Sequence, residues 1–243
     1  RVVNPKQAHH FMQGEMQQTK TDAIDARMLA LLGAKQALPA WQPPGPVWEA
    51  VTQRLVERDQ VVKLQQMVRN ELHALQQRVQ PEPAVCQRHQ QQLADFQQRL
   101  TQIDAELKTL LNQSEWAALL KVLRQIKGIG LLGAAWLLVI TNGFTTCDSP
   151  EQLASYLGVV PHRQDSGQRR GHKPLGTSGH ARARHILYQG SVSAVRSNPP
   201  IRDHYQSLLA RGKPVKVARC AATRKLVHQA FAVVQHYRLT LAP

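Results

Sequence analysis

Cysteine is scarce in this 243-residue chain, with three residues, Cys86, Cys147 and Cys220, far apart and odd in number. No Cys-x-x-Cys pair occurs, which argues against a structural zinc site and against a disulfide framework. A reducing cytoplasm is the expected compartment. Long apolar runs are lacking as well. The longest, Ile129 to Ile140, is about a dozen residues and includes Gly130 and Gly133, too short for a bilayer span and better suited to a buried helix. No secretory pattern opens the chain, so neither a signal peptide nor a membrane partner is expected. Acid is the third shortage. Sixteen Asp and Glu face 31 Lys and Arg, a formal charge of +15.

A surplus of that size points to a polyanion, nucleic acid before an anionic membrane surface. Its position sharpens the point. Residues 161–225 hold fourteen Lys or Arg against Asp165 and Asp203, a local charge of +12. Concentrated charge of this kind fits a phosphate-binding face.

Periodicity divides the rest. Arg1 to Asn4 reads as the tail of a strand stopped by Pro5, and the opening of the chain reads as the middle of a larger domain. Residues 6–17 are helix-compatible. A helix is expected from Thr21 to about Leu32, capped by Thr21 or Asp22, with Ile24, Met28, Leu29, Leu31 and Leu32 on its apolar stripe. Residues 37–46 are a Pro-rich connector. Within 47–113, Val51, Leu55, Val62, Val68, Leu72, Leu75 and Val79 mark one long helix. Leu93, Phe96, Leu100, Ile103, Leu107 and Leu110 mark a second, beyond Pro81 and Pro83. Together they predict a long antiparallel coiled-coil hairpin for spacing or dimerisation. Residues 114–243 read as a compact helical domain, with helices near 116–125, 131–140, 150–157, 179–196, 200–210 and 214–237. The fold class is mainly α.

Four constellations carry chemistry. Asp22 and Asp25 stand three apart, so on a helix their Cβ atoms lie roughly 5–6 Å apart on one face. Two such carboxylates suit a divalent cation with oxygen ligands, and equally suit the first turn of a helix. Lys127-Gly128-Ile129-Gly130 resembles the turn of a helix-hairpin-helix, whose glycines let backbone N–H groups approach a phosphate; a tight turn without ligand has the same pattern. Ser166 sits in a Gly-rich basic loop with Arg169, Arg170, His172 and Lys173, groups able to hold a phosphodiester while a serine attacks it. The same composition serves a loop that merely coats nucleic acid. Arg182, Arg184 and His185 open one basic helix, and Lys213, Lys216, Arg219, Arg224 and Lys225 line another, placed for phosphate contacts that position rather than read.

The order of these pieces resembles one family closely: bacterial insertion-sequence transposases of the DEDD type with a catalytic serine, the bridge-RNA-guided recombinases of the insertion-sequence one-ten family. The resemblance rests on Val2-Val3-Asn4-Pro5, on Lys20 to Ala30, on Ile126-Lys127-Gly128-Ile129-Gly130 and on Tyr156-Leu157-Gly158-Val159-Val160-Pro161. It continues through Ser166-Gly167, Ser178-Gly179-His180, Gly212-Lys213 and Arg224-Lys225-Leu226. It implies an RNase H-like domain contributing four acids, a coiled coil, and a helical transposase domain contributing the serine. Residues 1–36 then correspond to the last part of the RNase H-like domain, with Asp22 and Asp25 as the final two acids and Mg²⁺ as the metal. Ser166 corresponds to the nucleophile, with Thr177 and Ser178 as rival hydroxyls. DNA, a guide RNA and a second copy of the chain are the implied partners. Lys127 stands where the family usually has Pro. The first Asp and the Glu of the tetrad have no counterpart, so residues 1–243 alone are expected to be inactive, or to be a binding remnant without chemistry.

Overall fold

Pro5, Pro46, Pro83, Pro150 and Pro199 each open a helix at its first position, where a missing N–H has no partner to lose and the fixed φ is already helical. The computed structural model describes residues 1–16, 19, 21–38, 40–41, 43–160 and 179–241. Among the described residues there are ten helices and no strand. The chain divides into two compact units, 1–44 and 45–243.

The first unit is a pair of helices, α1 (Pro5–Gly14) and α2 (Asp22–Lys35). Arg1 to Asn4 is not a strand, contrary to the sequence reading. The Asn4 side-chain oxygen accepts from the Lys6 N–H (2.9 Å), so Pro5 begins a helix rather than ending a strand. Ala8, Met28 and Leu32 are buried. Lys35 of α2 pairs with Glu15 beyond α1 at 2.8 Å.

The second unit begins with α3 (Pro46–Gln76) and α4 (Pro83–Gln113), joined by residues 77–82. Arg54 bonds Glu106, Arg58 bonds Asp104, Arg99 bonds Glu57, and His89 Nε2 lies 3.3 Å from Glu71. Partner numbers fall on α4 as they rise on α3, so the helices run antiparallel along one another. Val51, Leu55 and Val61 of α3 join Leu100, Ile103, Leu107 and Leu111 of α4 in one buried cluster, and Leu72 is buried further along α3. Two readings shift here. Pro46 belongs to α3 rather than to the connector. Val79 lies beyond the helix, fully exposed.

The remaining helices are α5 (Ala117–Arg124), α6 (Leu131–Ile140), α7 (Pro150–Tyr156), α8 (Ala181–Ser197), α9 (Pro199–Ala210) and α10 (Val215–Leu241). Every residue of α6 from Gly133 to Ile140 is buried, as expected of a helix apolar on all sides. Truncating one of its leucines to alanine would cost about 2–5 kcal/mol. The indole N–H of Trp48 on α3 donates to the Val139 carbonyl (2.8 Å), satisfying an end group of α6 and anchoring the arm. The chain leaves α6 through Asn142, Gly143 and Phe144, all with positive φ. Arg238 of α10 donates to the carbonyls of Gly143 and Phe144 at 2.6 and 2.7 Å, holding that turn. Helix α10 packs on α5, α7, α8 and α9 and is the spine of this bundle.

Candidate nucleic-acid interface

The acidic pair lies in the first unit. Thr21, and not Asp22, is the cap of α2: its hydroxyl accepts from the Ile24 N–H at 3.3 Å. Asp22 and Asp25 occupy the first turn, Asp22 exposed and Asp25 half-buried. Their carboxylates favour the positive end of the helix, and their oxygens are also the donors a hard cation takes. Among the described residues no group of three or more His, Cys, Asp or Glu converges. The oxygen donors are of the kind Mg²⁺ takes, but the described residues bring only these two together.

The helix-hairpin-helix-like turn lies between α5 and α6. Gly128 has φ +108°, and a Cβ there would meet the Ala194 Cβ at 2.6 Å and the Gly190 carbonyl oxygen at 3.0 Å. Gly190 and Ala194 stand four apart on α8, so two small residues let the turn dock backbone to backbone. The glycine at 128 is required by this packing whether or not a phosphate approaches. Asn198, almost fully buried, donates to the Lys127 carbonyl (3.1 Å) and to Gln229 of α10 (2.9 Å). The Lys127 side chain is exposed. Gly130, the cap of α6, has nothing within 4 Å of its Cβ direction and offers an uncovered helix start.

Ser166, Arg169, Arg170 and Lys173, with the rival hydroxyls of Thr177 and Ser178, lie outside the described residues. The flanks of that segment are described. Gly179 has φ +94°, and a Cβ on it would lie 2.6 Å from the Gly158 nitrogen; the His180 N–H donates to the Tyr156 carbonyl at 3.2 Å. Chain entering and chain leaving residues 161–178 are thus in backbone contact. Around this closed neck stand Val159, Arg184, Tyr188, Cys220 and Thr223. Arg184 reaches the Gly158 carbonyl at 3.5 Å, and the Arg219 guanidinium sits 5.9 Å from the Tyr188 ring centre. Burial pushes the Cys220 thiol up.

The predicted basic helices are only partly free. Arg182 is bound to Asp59 of α3 at 2.5 Å, tying the arm to α8, and its buried Nε has no hydrogen-bond partner among the described residues. Arg224 donates to His228 at 3.4 Å. Lys213, Lys216 and Lys225 are exposed. Burial, with the charges of Lys225 and Arg211, holds the His204 imidazole below its usual range. Burial lowers His180 and His228 too, the latter aided by Arg224 and opposed by Glu151. Sequence reasoning missed Asp59 as partner of Arg182 and Asn198 as lock of the turn; the Asn198-Pro199-Pro200 break between two helices was the available signal for the second.

The acid pair belongs to one unit and the strongly basic helical bundle to the other. Residues 120–206 match the family described as Transposase IS116/IS110/IS902, and residues 1–81 match the DEDD transposase family of IS110. The chain belongs to the IS110 family of transposases, a class of DNA recombination proteins. It is 28% identical over 240 residues to proteins named pilin gene-inverting protein from Moraxella lacunata and from Moraxella bovis, a match covering 98% of this chain and 73% of each relative. An insertion element IS110 protein of 43.6 kDa from Streptomyces coelicolor is 28% identical over 135 residues, covering 55% of this chain and 32% of that one. Among the described residues no helix is long and apolar enough to cross a membrane.

Proposed function

We propose that the chain exchanges DNA strands, with Ser166 as nucleophile and Asp22 and Asp25 as two of the acids that hold Mg²⁺. The observation that carries this reading is family membership over both regions, the acid-bearing one and the serine-bearing one. A closed neck at Gly158 and Gly179, with Arg184 and Arg219 beside it, also supports a serine presented to a phosphate.

In this scheme the Ser166 hydroxyl attacks a DNA phosphorus. A P–O bond to serine forms, the bond to a sugar oxygen breaks, and that sugar leaves as a hydroxyl carrying the proton. A second sugar hydroxyl then attacks the phosphoserine and releases the serine. One phosphodiester replaces another at each step, so no external energy source is needed. The lone serine is a weak nucleophile; a bound metal supplies charge stabilisation of attacking and leaving oxygens. Arg169, Arg170, Lys173, Arg184, Lys213, Lys216, Arg224 and Lys225 neutralise backbone phosphates, and Lys127 with the uncovered start of α6 at Gly130 adds another contact. Arg182 joins them only by exchanging Asp59 for phosphate. A guide RNA would choose the target by base pairing while the protein holds backbone. The α3–α4 arm would join subunits, bringing the acids of one chain to the serine of another. Gene inversion, the activity in the names of the Moraxella relatives, is one outcome of such an exchange.

With two carboxylates, residues 1–243 alone should give little strand transfer. In a version extended to carry all four acids, incubation with a nicked DNA substrate should leave a covalent protein–DNA adduct that resists denaturant and disappears in Ser166→Ala. Adducts persisting at wild-type level in that variant would refute the serine. The second reading, a protein that binds nucleic acid without cutting it, draws on the local charge of +12 over residues 161–225, which needs no catalytic group to hold a polyanion. It predicts duplex binding with no adduct in either form.

A further inference from the structure

Helix α5 is short, yet its outer face stands between two hollows. One, of about 640 Å³, runs along Asn112, Lys121 and Arg124. The other, of about 510 Å³, lies between α5 and the end of α10, where His236, Tyr237 and Thr240 line it. Ala118, Lys121 and Gln125 form the exposed ridge between them, on one helical face at spacings of three and four. Every polar group named is a donor or a cation. No Asp or Glu occurs from Trp116 to Cys147, and none follows Asp203. Lys121 and Arg124 in the last turn balance the negative end of α5, and Lys127 adds a third exposed charge just beyond.

A ridge one helix wide, flanked by two hollows rich in donors, has the negative shape of a DNA groove. An α-helix with side chains is about 10–12 Å across, and the major groove of B-DNA is about 12 Å wide. A-form RNA presents a major groove too narrow for the same ridge. We propose that α5 is a second docking element for duplex DNA. Its ridge enters the major groove, Lys121 and Arg124 bind one backbone, and His236, Tyr237 and Thr240 bind the other. Its lining residues share none with those around the neck at Gly158 and Gly179. The inference rests on the DNA substrate of the family and not on Ser166 or the metal.

The test measures binding of residues 1–243 to a labelled 30-base-pair duplex across a salt series. Lys121→Gln combined with Arg124→Gln should weaken binding about tenfold and reduce the slope of log affinity against log salt by about two. Ala118→Glu, a change at an exposed position, should weaken duplex binding similarly and guards against a folding defect in the double variant. Lys63→Gln with Arg69→Gln, the same charge change at exposed sites on α3, should leave the slope unchanged. An unchanged slope in the α5 variants would overturn the proposal. So would an equal loss in the α3 control, or an equal loss on single-stranded RNA, since either would mark general attraction to polyanions. The readout is equilibrium binding and not strand transfer, so a failure of this surface and a failure of the serine assignment are distinguishable.

Discussion

The arm and the bundle it carries solve the problem of charge in opposite ways. Residues 47–113 hold eight acidic and eight basic side chains, a net of zero. The cations Arg54, Arg58 and Arg99 are spent on Glu106, Asp104 and Glu57 across the helix pair. Residues 114–243 hold eighteen basic side chains and five acidic ones, a net of +13. That bundle cannot neutralise itself and is held instead by apolar burial and by small-residue contacts such as Gly128 against Gly190 and Ala194. A neutral arm can pack against another protein surface without repulsion, whereas the bundle's charge is satisfied only by a polyanion. Arg182 with Asp59 is an ion pair that joins the two regions.

The contrast is open to direct attack. The largest effect is expected from Gly128→Val. The new side chain would collide with Ala194 and the Gly190 carbonyl and would force a β-branched residue to a positive φ. A loss of about 3 kcal/mol or more should appear in denaturant melts; a stable variant would mean the turn is not packed on α8. Arg182→Ala should come next. It leaves Asp59, whose side chain is only 14% exposed, without its cation, at a cost of about 1–3 kcal/mol. Adding Asp59→Asn should recover part of that loss; failure to recover would show that the guanidinium contributes packing rather than charge. Arg99→Ala should be smallest. Both partners are more than a third exposed, so the pair contributes about 0–1 kcal/mol, and less in 1 M salt. A larger effect would mean that the arm depends on its ion pairs and that the comparison is drawn wrongly.

Much of the helix pattern was legible because apolar spacing and proline act locally. The two long helices α3 and α4, the all-apolar α6 and the start of α2 at Thr21 or Asp22 follow from neighbours three and four residues away. Misreadings occurred where one residue has two local meanings. Pro5 stops a strand or starts a helix, and the Asn4 side chain decides. Pro46 ends a connector or opens α3. Gly128 suits a phosphate or a neighbouring helix, and only the approach of α8 shows that the helix demands it. Lys121 and Arg124 gave no signal, since two cations in a short helix are ordinary until hollows are found on either side.

The sequence by itself determined the family, the mainly helical architecture and the concentration of positive charge. Each is a matter of residue order, local spacing or simple counting. Tertiary structure alone decided which cations are free. Charge is a property of the residue, but its availability depends on what lies within a few ångströms. Asp59 is more than a hundred residues from Arg182 in sequence and in contact with it in space. The same distance in sequence separates α5 from the end of α10, and the paired hollows between and beside them exist only once the chain has folded.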